Sequence, residues 1–178
     1  MGTKQKRLLK VSAMLATLAA AVLLSYMIKG QYLLLNDEQS GQVLFMAPVG
    51  PVSEFAVSFI HSVNKSPVCE YYRIKGGQIF LEAVRYYTFG AGMPTEAVEG
   101  QTMHYDQDGA IIIGGFDRPL PRLVYNIGRV SNHTLHWQGQ DIPLNTLDKP
   151  GQPILFSVIF YPRFWRALGL HPRSAVIN

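Results

Sequence analysis

The densest gathering of chemically capable side chains lies at residues 61–70, where His61, Ser62, Asn64, Lys65, Ser66, Cys69 and Glu70 fall within ten positions. An imidazole oriented by a carboxylate can take up a proton, and His61 with Glu70 could do this or ligate a metal with His104 as a third donor. Ser62 and Ser66 offer hydroxyls, but no G-x-S-x-G elbow that would lift a serine out of a turn occurs in the chain. The set is incomplete for catalysis. The expectation is that His61 and Glu70 hydrogen-bond each other and the loop between them, where His61, Ser62 and Glu70 hold a ligand or partner.

A second cluster runs Phe89-Gly90-Ala91-Gly92-Met93-Pro94. Gly90 and Gly92 permit backbone conformations closed to other residues, and Pro94 sets the exit direction. N–H groups exposed in such a loop can hold an anion, so Gly90, Gly92 and Met93 join the binding candidates. A plain bend between strands is the stronger reading, since neither the phosphate-loop nor the dinucleotide glycine pattern is present. His133 and His136 stand three apart on one expected strand and face opposite sides, a poor arrangement for a metal. With a lone cysteine, Cys69, and no Cys/His spacing of the zinc type, no metal, no cofactor and no catalytic residue is expected.

The elements around these clusters read as short strands. Expected strands cover 43–47, 54–62, 68–75, 78–89, 102–106, 110–113, 123–127, 134–137 and 141–144, punctuated by glycine and proline. Phe55, Val57 and Phe59 share one face of their strand, with Glu54 and Ser58 on the other. Gly76-Gly77 marks a hairpin turn. Eight or nine short antiparallel strands without an intervening amphipathic helix predict an all-β sandwich or small barrel.

The ends differ from this middle. Residues 1–29 hold five basic residues and no acid, so the formal +4 of the chain is +5 there and −1 over the remainder. A folded part without a basic face excludes nucleic acid as a partner. Residues 11–28 carry no charge and would reach about 27 Å as a helix, near the thickness of bilayer hydrocarbon. Four basic residues precede the run, so the expected arrangement is a single-pass anchor with its N-terminus in the cytoplasm. A signal peptide cleaved after Ala21 is the rival reading. On the anchor, Ala13, Thr17, Ala21 and Ser25 recur every four residues beside Ser12, Ala16 and Ala20, a small-residue face suited to close helix packing. Toward the C-terminus, Arg163, Phe164, Trp165 and Arg166 suit a membrane–water interface. The division expected is a basic segment 1–10, an anchor 11–29, a linker 30–41, a β domain 42–150 and an apolar, aromatic-basic tail 151–178.

The segments Phe59-Ile60-His61-Ser62-Val63, Pro67-Val68 with Glu70, and Gly90-Ala91-Gly92-Met93-Pro94 give the chain a resemblance to the bacterial family called domain of unknown function 1850. The resemblance covers roughly residues 42–145. It implies a setting beside TAXI-type TRAP transporters, secondary carriers that work with a periplasmic substrate-binding protein. It marks His61, Ser62, Glu70, Gly90, Gly92 and Met93 as motif positions without assigning them a role. The function expected is a non-catalytic accessory subunit in the cytoplasmic membrane with its β domain in the periplasm. Its partners would be the bilayer, the transporter's membrane subunit and the transporter's binding protein. The alternatives are a stand-alone periplasmic module for a small organic anion and, behind it, an anchored hydrolase using His61 and Glu70.

Overall fold

The computed structural model of the chain describes residues 2–90 and 92–170, which form two compact units. One comprises the residues up to Gly30 together with those from Phe160 onward; the other is Gln31–Ile159.

In the first unit a single long helix, α1 (Thr3–Met27), takes in the uncharged run. Its Ala- and Leu-rich sequence has no glycine or proline to break it, and 25 residues reach about 38 Å. It is long and apolar enough to cross a bilayer, and its most apolar window has no buried residue among the described residues. No acidic residue sits in its first turn. Lys4 and Lys6 oppose the helix dipole there, so helix stability does not explain their place. The Ser12 hydroxyl donates to the Leu9 carbonyl, that of Thr17 to Ala13 and Met14, and that of Ser25 to Val22. Such back-bonds give each hydroxyl proton an acceptor inside the helix. A five-residue helix, α2 (Arg163–Ala167), follows the last strand; the Arg163 N–H donates to the Ile28 carbonyl at 3.0 Å. Trp165 shares a shallow apolar groove with Leu15, Leu18, Ala19, Val22 and Leu23. The expected interfacial tail extends past the described residues at Leu170.

The second unit is a sandwich of two sheets, as an all-β chain of this patterning should form. The strands are β1 (Lys29–Asp37), β2 (Val43–Val49), β3 (Val52–Ile60), β4 (Pro67–Lys75), β5 (Gln78–Tyr86) and β6 (Thr102–Tyr105). They continue with β7 (Ile111–Leu120), β8 (Leu123–Asn126), β9 (Thr134–Trp137), β10 (Gln140–Pro143) and β11 (Pro153–Pro162). One sheet runs β2-β1-β11-β8, the other β10-β9-β3-β4-β5-β7-β6. Gly76 and Gly77 both take positive φ, as a two-residue hairpin turn matched to strand twist requires.

Alternation decides which side chains meet between the sheets. Phe55, Val57 and Phe59 of β3 register with Tyr72, Glu70 and Val68 of β4 on the inner face. Leu33 and Leu35, Tyr125, and Ile154 and Phe156 reach them from the facing sheet. Phe55 stacks on Tyr72 at 4.9 Å and on Phe156 at 6.0 Å between ring centroids.

Two boundaries expected from the sequence are corrected. The segment 30–41 is no linker: Lys29–Asp37 is a strand, with Leu33 and Leu35 wholly buried. Tyr32 through Leu35 are buried on both faces of β1, so the run shows no alternation and resembles an extension of the helix. Likewise the tail does not begin at 151, because β11 lies inside the four-stranded sheet between β1 and β8. Eleven strands are therefore described in place of eight or nine.

Candidate functional site

Part of each sequence cluster, residues 61–66 of the first and Gly90 of the second with the preceding Thr88, is brought together at one end of the sandwich. β3 ends at Ile60, and the following turn is closed by the Lys65 N–H donating to the His61 carbonyl and the His61 N–H to that of Ser66. The His61 Nδ1 accepts the N–H groups of Val63 and Asn64, each at 3.2 Å. That places the imidazole proton on Nε2 and makes the ring a cap for its own loop. Across from it the Asn64 amide donates to the carbonyls of Thr88 and Gly90, and the Ser66 and Thr88 hydroxyls lie 3.0 Å apart. Gly90 and Gly92 have φ of +100° and +86°, and the Met93 N–H returns to the Gly90 carbonyl. Met93 packs against the core, while Ser62 stays exposed in the turn. Asn64, Ser66 and Thr88 thus clasp the two loops to each other, with the Gly90 carbonyl as the one motif position that takes part.

Glu70 does not join His61, contrary to the expected pair. Opposite Val57 on the inner face of β4, its Oε2 accepts the Tyr72 hydroxyl at 2.8 Å and also the Tyr125 hydroxyl from β8. The two phenol oxygens lie 2.6 Å apart. The reason is parity and distance along the strand: Glu70 shares a face with Tyr72, whereas His61 lies beyond the last paired residue of β3. Burial, then the neighbouring Glu70 charge, raises the Tyr72 ionisation well above that of a free phenol. Burial does the same for Tyr125, with Tyr72 and Glu70 adding to it. His133 stacks on Phe59 at 5.2 Å and stands 5.6 Å from Tyr125. Burial lowers its pKa, which favours a neutral ring. The result is a carboxylate held by two phenols between the sheets, a polar tie across the core.

The third metal donor considered, His104, is on β6, three strands away from β4 in the sheet order, or about 14 Å. Among the described residues no three His, Cys, Asp or Glu side chains gather as a metal site.

A cleft of about 690 Å³ opens away from these clusters, where the ends of β1, β5, β7 and β11 meet. Ile79, Leu120, Leu155, Phe156 and Val158 supply apolar walls; Asn36, Gln78 and Ser157 supply polar atoms. Arg122, 64% exposed, stands at the cleft in an ion pair with Glu38. The Glu38 N–H donates to the Pro153 carbonyl, which ties this corner to β11. The sequence reading missed this cleft because its lining comes from four separated segments. Tyr72 was within reach of sequence reasoning, two residues from Glu70 on the same face; Tyr125 and Arg122 carried no local signal.

No curated protein and no solved structure matches the chain. The family described as Domain of unknown function (DUF1850) matches residues 55–144, half of the chain, from the middle of β3 to the end of β10. That span contains both clasped loops and the Glu70–Tyr72–Tyr125 tie, and the chain belongs to the DUF1850 family.

Proposed function

We propose that this chain is an accessory subunit of a TAXI-type TRAP transporter that takes no catalytic part in transport itself, held in the cytoplasmic membrane by α1 with its sandwich in the periplasm. The observation that carries the reading is a membrane-length apolar helix whose most apolar window has no buried residue among the described residues. Ser12, Ala13, Ala16, Thr17, Ala20, Ala21 and Ser25 give that helix a small-residue face. Because the hydroxyl protons already have acceptors in the helix, close backbone approach supplies the attraction to a transporter helix. The family resemblance supplies the identity of the carrier. The sandwich would then support docking of the periplasmic binding protein. The motif loops suit that passive role: His61, Asn64 and Ser66 direct their hydrogen bonds into the loops themselves.

Affinity purification of the tagged chain from native membranes in mild detergent is the test. Recovery of the transporter's membrane polypeptide supports the reading; recovery of the chain alone, from membranes that contain the carrier, refutes it.

A small-ligand module is the second reading, and the cleft beside Arg122 favours it. A guanidinium next to apolar walls suits an organic carboxylate. A panel of organic acids that leaves the melting temperature unchanged would remove this reading.

A further inference from the structure

The outer face of the seven-stranded sheet carries a line of three side chains that neither the family motif nor the cleft includes. Ser58 of β3, His136 of β9 and Asp141 of β10 stand on three adjacent strands. Ser58 Oγ lies 2.7 Å from His136 Nε2, and His136 Nδ1 lies 2.7 Å from Asp141 Oδ1. A carboxylate can only accept, so Nδ1 carries the ring proton and Nε2 offers its lone pair to the Ser58 hydroxyl. This is the tautomer and the order of contacts that activate a serine toward a carbonyl carbon.

We propose that Ser58, His136 and Asp141 form a nucleophilic site that accepts the acyl group of a small neutral or cationic ester. Ser58 Oγ bonds to the ester carbonyl carbon while its proton passes to His136 Nε2. The bond from that carbon to the alkoxy oxygen then breaks, and the alkoxide takes the proton from His136 and leaves as an alcohol. Water, giving a proton to His136, releases the acyl group as a carboxylic acid and restores the serine. Asp141 is a positioning residue, since it acts on the tautomer of the ring.

The surroundings define the substrate class. A pocket of about 340 Å³ adjoins His136, lined by Glu54, Ala56, Tyr71, Glu82, Gln138 and Gly139 among others. Arg73 holds Glu82 at 2.7 Å, whereas no hydrogen bond or ion pair engages the Glu54 carboxylate among the described residues. A bare carboxylate disfavours an anionic substrate and favours a cationic one. His136 is 36% and Asp141 74% exposed, so the site is open to small molecules. Ser58 pairs in register with both Cys69 and Thr134, so its N–H belongs to the sheet ladder. Stabilisation of the tetrahedral oxygen therefore falls to side chains; Tyr71, hydrogen-bonded to Cys69 opposite Ser58, would have to turn its hydroxyl from that thiol to serve as the donor. Burial raises the Tyr71 pKa to about 12, which keeps that donor protonated.

The test is labelling of the full-length chain in mild detergent with a reporter-tagged fluorophosphonate, followed by peptide mass spectrometry. The expected result is an adduct on Ser58, absent from Ser58→Ala and slowed on the order of 10²-fold or more in His136→Gln. In Asp141→Asn the labelling rate should fall and its pH profile should change, with the melting temperature held. The Ser58→Ala change removes one hydroxyl on an outer face, and direct mapping of the adduct in the parent chain needs no variant. No adduct on Ser58, or equal labelling of parent and His136→Gln, overturns the proposal. Neither result bears on co-purification with a transporter.

Discussion

Replacing Tyr125 with phenylalanine removes one hydroxyl from the Glu70 tie, and the cost should itself depend on pH. At pH 7 the change deletes a hydrogen bond to a carboxylate and the 2.6 Å contact with Tyr72. Bonds to charged groups are worth about 1.5–3 kcal/mol. For a chain of this size that is a fall in melting temperature of about 3–12 °C. The sign of the pH effect follows from the raised tyrosine ionisations. Above pH 10 the unfolded chain gives up phenolic protons that the folded chain keeps, so stability is intact below pH 10 and falls as pH rises beyond it. By pH 11 each such tyrosine has lost about 1.4 kcal/mol. Phenylalanine does not titrate, so the penalty of Tyr125→Phe should shrink by about 1.4 kcal/mol between pH 7 and pH 11. Urea unfolding in detergent, followed by the fluorescence of the buried Trp137, measures both values. A penalty that stays constant across that range would refute the account of Tyr125 as a buried, protonated donor.

Other outcomes follow from the same structure. Phe156→Ala removes the contact with Phe55 across the sheets and with Tyr125 of the neighbouring strand, and should cost about 3–5 kcal/mol, read as the shift in urea midpoint. His61→Ala leaves the Val63 and Asn64 N–H groups without their acceptor; it should cost about 0.5–1.5 kcal/mol, with faster amide exchange confined to the clasped loops. Arg122→Ala breaks an exposed ion pair and should change stability by less than about 1 kcal/mol, so a larger shift in melting temperature would contradict the surface placement. Ala16→Leu with Ala20→Leu fills the small-residue face of α1 and should cut recovery of the transporter subunit severalfold while the chain remains in the membrane fraction.

The fold was legible wherever a strand has one face in the core. The β4–β5 hairpin, with its alternation and its Gly76-Gly77 turn, could be drawn from the sequence, although β5 ends at Tyr86, three residues short of the expected 89. β9 needed no correction, and β3 was displaced by only two residues. β1 was illegible because Tyr32 to Leu35 are buried on both faces, which removes the period that marks a strand. β11 was open to two readings for a similar reason, as an apolar run ending in Tyr161 and Pro162 suits a sheet interior and a membrane surface alike. At the candidate site the two loops could be found from their residues, and their mutual hydrogen bonds could not. Glu70 was picked out with the wrong partner, because proximity in sequence suggested His61 while strand parity delivers Tyr72. The Ser58–His136–Asp141 line stayed hidden because it depends on β9 pairing with β3, across 78 positions of chain.

The proposed function requires above all that α1 remain attached and in the bilayer. Alkaline carbonate extraction of native membranes, with N-terminal sequencing of the recovered chain, measures this directly. The predicted result is a carbonate-resistant polypeptide that keeps the basic residues Lys4 to Lys10. A soluble chain beginning at Val22 would contradict it.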